Sequence, residues 1–262
     1  MSKAKLVLGI DLEGINKDLI FNGLDLKVDR VSEIGAVLWN WEYKQPVKIL
    51  SKIINEEKRL NISTDLEELT GLNDDILNNY GVQNEDIPNV LLELSSMMES
   101  ADYLMAHNGT NYDYPMLKAL FERHNVKWID RIWIDTQVDI EYPKMLKARS
   151  LAMLEHFHGF LNPFPHRALT DVLSMLKIAS KYSLDRMVKL ASCQKIRVVA
   201  NLDAPNWKKK KEVDEFNYHK NRIAKSGFRW DPYEKYWYKE VPQIYIDEDK
   251  LQFNFSWYIS KD

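Results

Sequence analysis

The sequence predicts an α/β domain, a mixed β-sheet covered by helices on both faces, followed by a small α+β unit. The N-terminal third supplies the first sign. Residues 5–11, "EIGAVLWNW" (33–41) and "VKILSKII" (47–54) are strand-like runs close enough in sequence to pair as an antiparallel meander. From 63 to 182 helical patterns then alternate with further strands, as a sheet with helices on both faces requires. After about residue 190 the texture turns basic and aromatic, which places a boundary near 190–195 and two domains, 1–190 and 191–262.

Taken in order, "STDLEELTG" has a Ser/Thr start and a Gly stop, and "DIPNVLLELSSMMES" is an amphipathic stretch. "ADYLMA" (101–106) returns to strand and meets the turn "HNG". The helix "YPMLKALFERH" carries Pro115 in its first turn, where proline is tolerated. "WIDRIWID" (128–135) reads as a short strand and turn, and helices follow around 149–158 and 167–182. In the last part "IRVVANL" predicts a strand, "WKKKKEVDEFNYHKNRIAKSG" a basic helix ending at Gly227, and "FRWDPYEKYWYKEV" a hairpin.

Composition excludes several classes. With 45% hydrophobic and 29% charged residues, the chain reads as an ordinary globular protein. No apolar run approaches a membrane span, and "LVLGI" is too short for a signal-peptide core, so a cytoplasmic protein without a membrane partner is expected. Cys193, the single cysteine, cannot form an internal disulfide, which fits a reducing compartment. No Cys/His cluster has zinc spacing and no GxxxxGK[ST] phosphate loop is present. Residues 191–262 hold 14 Lys and Arg against 11 Asp and Glu, and the remainder 22 against 28. An acidic body is wrong for a general nucleic-acid coat, but it suits an enzyme that gathers cations around carboxylates.

The carboxylates are therefore weighed one at a time. A DxE pair occurs three times, at Asp11/Glu13, Asp65/Glu67 and Asp139/Glu141. On a strand, residues two apart share a face, so Asp11 and Glu13 could converge on one ion; a wet strand end is the simpler alternative. Asp65 and Glu67, on a helix, diverge. Asp113, ahead of Pro115, taken alone reads better as a helix cap. Asp171 is harder to dismiss, since its helical stripe of Ala168, Met175 and Ile178 is otherwise apolar and an acid there needs a cation or strong hydrogen bonds. Of six histidines only His166 has an Asp five residues later, in "HRALTD", which fits a histidine just before the helix that carries Asp171.

"IDLEG", "AHNGTNYDYPML" and "HRALTD", in this order and spacing, resemble motifs I, II and III of the DEDDh 3′–5′ exonucleases. That group includes proofreading subunits of bacterial replicative polymerases, ribonuclease T and oligoribonuclease. The resemblance covers roughly residues 5–182, and "EIGAVLW" and "ISTDLEELTGLNDDIL" are similar to the family's second strand and TGI-type loop. Two departures stand out: Gly14, where many members carry Thr, and the longer segment "INKDLIFNGLDLKVDR". "AKSGFRWDPYEKYWYKEV" is in turn similar to a small module that follows exonuclease domains in some bacterial and phage proteins.

The resemblance implies a ribonuclease H-like fold, a mixed five-stranded sheet with helices around it. It implies that Asp11, Glu13, Asp113 and Asp171 hold two divalent cations, Mg²⁺ or Mn²⁺, and that His166 is the general base. Hydrolysis would release 5′-mononucleotides from a nucleic acid with a free 3′ end, single-stranded DNA being favoured. Asn108, Gly14, Thr70 and Leu72 would contact the terminal nucleotide by position, turn formation and packing being the other reading of each. The resemblance also points to a polymerase or another replication or repair protein as a partner. An RNA-trimming exonuclease is the nearest alternative, because no residue separates DNA from RNA in the sequence. A non-catalytic binder of nucleic-acid ends is a third; crowded acids around a phosphate argue against it.

Overall fold

The computed structural model describes residues 5–260. The chain divides between Ala191 and Ser192 into two compact units. The first runs β1 (Leu6–Ile15), α1 (Leu19–Asn22), β2 (Arg30–Asn40), β3 (Gln45–Asn55), α2 (Thr64–Thr70), α3 (Asp74–Tyr80), β4 (Val82–Gln83), α4 (Ile87–Ser100), β5 (Tyr103–Ala106), α5 (Asp113–Arg123), β6 (Trp133–Asp135), α6 (Leu151–His158), α7 (Ala168–Ala179) and α8 (Leu184–Ser192). The strand order is β4-β3-β2-β1-β5-β6. β1, β2 and β3 pair antiparallel as a meander, while β5 and β6 join parallel to β1, giving the mixed sheet.

The sheet has six strands where five were expected. The sixth, β4, is two residues long and pairs parallel to the end of β3, where the Asn55 amide also donates to Gln83 (2.9 Å). "WIDRIWID" forms strand only at Trp133–Asp135; ahead of it the Arg131 guanidinium bonds the carbonyls of Ala101 (3.2 Å) and Glu99 (3.2 Å) and fixes an irregular approach.

Two cores lie on the two faces of this sheet. Leu8, Ile10 and Leu12 of β1 point to the side covered by α4 and α5, among Leu91, Leu94 and Leu120. Val7 points to the opposite side, with Val37 of β2 and Val172 and Leu176 of α7. β2 reads as a continuous apolar run because it is central and covered on both faces, so ten of its eleven residues are buried. On the α7 side glycines set the spacing. A Cβ on Gly9 would lie 2.8 Å from Leu176, and one on Gly35 would strike the backbone of Ala168 and Leu169. The first turn of α7 therefore rests directly on β2 backbone.

The second unit contains β7 (Lys195–Ala200), α9 (Lys210–Lys225), β8 (Arg229–Asp231), β9 (Tyr236–Pro242), α10 (Gln243–Asp247) and β10 (Trp257–Ile259). Its antiparallel sheet has the order β10-β7-β9-β8. The predicted basic helix and hairpin are both present, the hairpin turn held by the Asp231 carboxylate, which accepts from the N–H groups of Tyr233 (2.9 Å) and Glu234 (3.0 Å). Val198, Ala200, Ile223, Phe228 and Val241 form its small core. Among the described residues no helix is long and apolar enough to cross a membrane.

Candidate active site

β1 delivers the first two acids. Asp11 and Glu13 continue the row begun by Val7 and Gly9, so they face α7, while Leu12 between them points into the other core. α7 delivers Asp171 from its first turn, held close by the Gly35 contact. Asp11, Glu13 and Asp171 each place a carboxylate oxygen so that the three lie within 4.8 Å of one another. The pairing of β1 with β2 shifts register at Glu13/Gly14, beside this cluster, as bulges next to active sites do.

Asp113 lies outside this trio but adjoins it. It is the first residue of α5 rather than its cap, and its carboxylate accepts from the Leu12 N–H (2.9 Å), between the two β1 acids. The helix start is thereby tied to the strand.

His166 is exposed on the loop before α7 with a left-handed backbone (φ 60°), uncommon for a residue with a side chain. Its N–H donates to Asp171 Oδ2 (3.2 Å), and the Asn162 amide donates to Asp171 Oδ1 (2.5 Å). The Thr170 hydroxyl donates back to Phe164 O (2.5 Å) and Arg167 O (2.9 Å). These bonds over-determine the strained turn.

The electrostatics are those of carboxylates gathered out of water. Burial, then repulsion from Asp113 and Glu13, holds Asp11 well above the usual carboxylate range. Burial, with Asp171 and Glu33 nearby, pushes Glu13 up to about 8, although Arg167 opposes it. Asp113 rises to about 7 by burial, against its Leu12 bond, and Asp171 to about 6 by burial, against the His166 bond. A divalent cation would relieve this repulsion, and an all-oxygen donor set fits a hard ion such as Mg²⁺ or Mn²⁺.

The other candidates each have a local structural role. Gly14 is buried, and the Tyr112 hydroxyl, bonded to Asn16 (3.0 Å), fills the space a side chain there would need. Asn108 (φ 60°) is held by Asp135, whose carboxylate accepts its N–H (2.9 Å). Thr70 donates to Leu66 O (2.7 Å) and accepts from Leu72 N–H (3.1 Å), and Leu72 packs against Ile15 and Leu77. Thr70 and Leu72 are thus engaged in the turn and a small core.

Sequence reasoning missed Glu33 and Arg167. Glu33 sits on β2 directly opposite Glu13, 1% exposed, and Arg167 grips it with two bonds (2.9 and 3.1 Å). The signal was present: Glu33 is the one acid in the apolar run "VSEIGAVLW", and Arg167 follows His166. Glu155 of α6 adds a further buried carboxylate whose charge raises Asp171.

A family model described as Exonuclease (RNase T) matches residues 10–179. The nuclease domain of 3'hExo, a DEDDh family member bound to rAMP, is similar with a TM-score of 0.54 at 17% identity, over 69% of this chain and 92% of that one. A 3'-exonuclease in a structure of 3'-end specific recognition of histone mRNA stem-loop gives 0.56 at 16%, over 69% and 82%. The zinc ion bound form of the E. coli ExoI–ssDNA complex gives 0.58 at 14%, over 76% and 48%. No curated protein matches the chain. At these identities the solved structures establish the fold, and the family match covers well over half of the sequence. The chain therefore belongs to the RNase T exonuclease family.

Proposed function

We propose that the protein is a two-metal-ion 3′–5′ exonuclease that removes 5′-mononucleotides from single-stranded DNA. The observation that carries the reading is the convergence of Asp11, Glu13 and Asp171 within 4.8 Å. Asp113 beside them completes the set of four carboxylates that would hold two Mg²⁺ or Mn²⁺ ions. When bound, such ions lower the pKa of a water and neutralise charge building on the phosphate. The chain's own residues do the rest. The four carboxylates fix the position of the scissile phosphate through the charge they gather. The Asn162 and His166 bonds hold Asp171 in one orientation, and His166 accepts the proton of the attacking water at a ring nitrogen. The water oxygen becomes bonded to phosphorus as the bond from phosphorus to the 3′-oxygen breaks, and that oxygen takes a proton from solvent, giving a 5′-mononucleotide and a strand with a new 3′-hydroxyl.

ExoI, a similar protein bound to single-stranded DNA, supports the DNA reading. The 3'hExo domain, bound to rAMP, supports RNA as the second reading. Both are tested with 5′-labelled single- and double-stranded DNA and RNA in Mg²⁺, Mn²⁺ or chelator. The expected outcome is a metal-dependent ladder shortening from the 3′ end, fastest on single-stranded DNA. No shortening of any substrate with either ion would overturn the catalytic reading; a faster ladder on RNA would transfer the assignment to RNA.

A further inference from the structure

The second unit has one helix-covered face and an opposite face that is exposed at its edge strands while Val199 in its middle is 1% exposed. Ile223 of α9 and Ile246 of α10 belong to the same core as Val198, Ala200, Trp237 and Val241, so both helices serve one side of its sheet. On the other side, strand registers set Tyr258, Val199, Tyr238 and Arg229 opposite one another in a single row across all four strands. Arg197 and Glu240 form the next row. Tyr258 is 48% exposed and Arg229 is exposed at the edge strand. The Arg197 guanidinium lies 4.6 Å from the centre of the Tyr238 ring and is braced by Glu240 (2.9 Å). Arg197, Arg229, Tyr238 and Glu240 of this face line one cavity, two cations against a single acid, whereas Lys239 at its rim sits opposite Val198 in the core row and donates to Ser226 O (2.8 Å).

We propose that this face of the second unit is an accessory binding site for single-stranded nucleic acid. The inference rests on the reading of the chain as an enzyme of nucleic-acid strands. The chemistry matches such a strand on both counts. Tyr258 offers a ring face to a base, and Arg197, stacked on Tyr238, offers the outer face of its guanidinium plane. The cavity's excess positive charge offers a seat for phosphates, which a protein partner of ordinary composition would not need. Arg197 is pre-positioned by its acid and ring contacts, so little freedom is lost on binding. Sequence-independent stacking with backbone neutralisation suits an enzyme that must keep hold of a shortening strand.

The test uses the full chain with Arg229→Glu, Tyr258→Ala and the double variant, whose side chains lie at the surface. Binding of a labelled single strand about 30 nucleotides long, as DNA and as RNA, is read by fluorescence anisotropy in chelator, independently of cleavage. Each single variant is expected to weaken binding about ten-fold, and Arg229→Glu to flatten the salt dependence. Hydrolysis of a dinucleotide with Mg²⁺ should stay within two-fold of the parent, as should the thermal midpoint within a degree or two. Parent-like affinity and salt slope in the folded double variant would overturn the proposal, as would equal losses on the dinucleotide. Failure of the parent to cleave the dinucleotide would count against the catalytic reading alone, because the binding measurement stands without it.

Discussion

Asp11 is the carboxylate most hemmed in by other acids, so its removal should separate charge relief from catalysis. In Asp11→Asn, metal-dependent turnover is expected to fall by at least about 10³-fold. The metal-free protein should become more stable, because one source of repulsion on Glu13, Asp113 and Asp171 is gone; melting in chelator checks this. His166→Ala should behave differently. Turnover is expected to drop about 10²- to 10⁴-fold while the metal-induced rise in melting temperature persists, since the ring is not among the oxygen donors. Arg167→Ala leaves Glu33 buried and unpaired, which should cost roughly 3 kcal/mol by denaturant unfolding. Arg167→Lys keeps the charge but loses the fork that fits both Glu33 oxygens, so it should restore stability only in part. Because Arg167 follows His166, turnover should follow the same order.

At the scale of elements, the site is the meeting of one strand with the first turns of two helices. α5 is fixed by the Leu12–Asp113 bond and α7 by backbone contact over Gly35. Gly35→Ala should push α7 off β2, destabilise the protein by about 1–3 kcal/mol and raise the metal concentration needed for half-maximal activity. Metal titration of activity, alongside thermal melting, reads both effects. This contact also shows what a sequence conveys. The strand spacing that sends Asp11 and Glu13 to one face is local, and the apolar stripe around Asp171 is local too, so both were legible. Glu33 and Arg167 lie 134 positions apart, and their partnership exists only once β2 and α7 are packed. β4 escaped for a similar reason: two residues carry no periodicity, and only the neighbouring strand end makes them a strand.

Across the whole molecule, raised carboxylates couple stability to pH. For Asp171, Asp113 and Glu13 the folded-state values of about 6, 7 and 8 exceed those of exposed carboxylates. The stabilising contribution of each protonated group is therefore fully present below about pH 4 and is lost as pH rises through its folded value. In chelator, the contribution of these groups should lower the melting temperature steadily from pH 5 to pH 9. Saturating Mg²⁺ should recover several degrees at pH 8 and much less at pH 5, where protons already neutralise the site. A parallel shift at both pH values would show that the acids do not share the ion.

The burial of Asp113 and Glu13 then acquires a thermodynamic meaning for the resting enzyme. Near neutrality its pocket behaves as a small ion exchanger, stocked with hydrogen ions that an incoming cation must displace. Loading it should expel about one to two hydrogen ions into the medium. Calorimetric titration with Mg²⁺ at pH 7 should accordingly give heats that change between phosphate and Tris in proportion to each buffer's ionisation enthalpy.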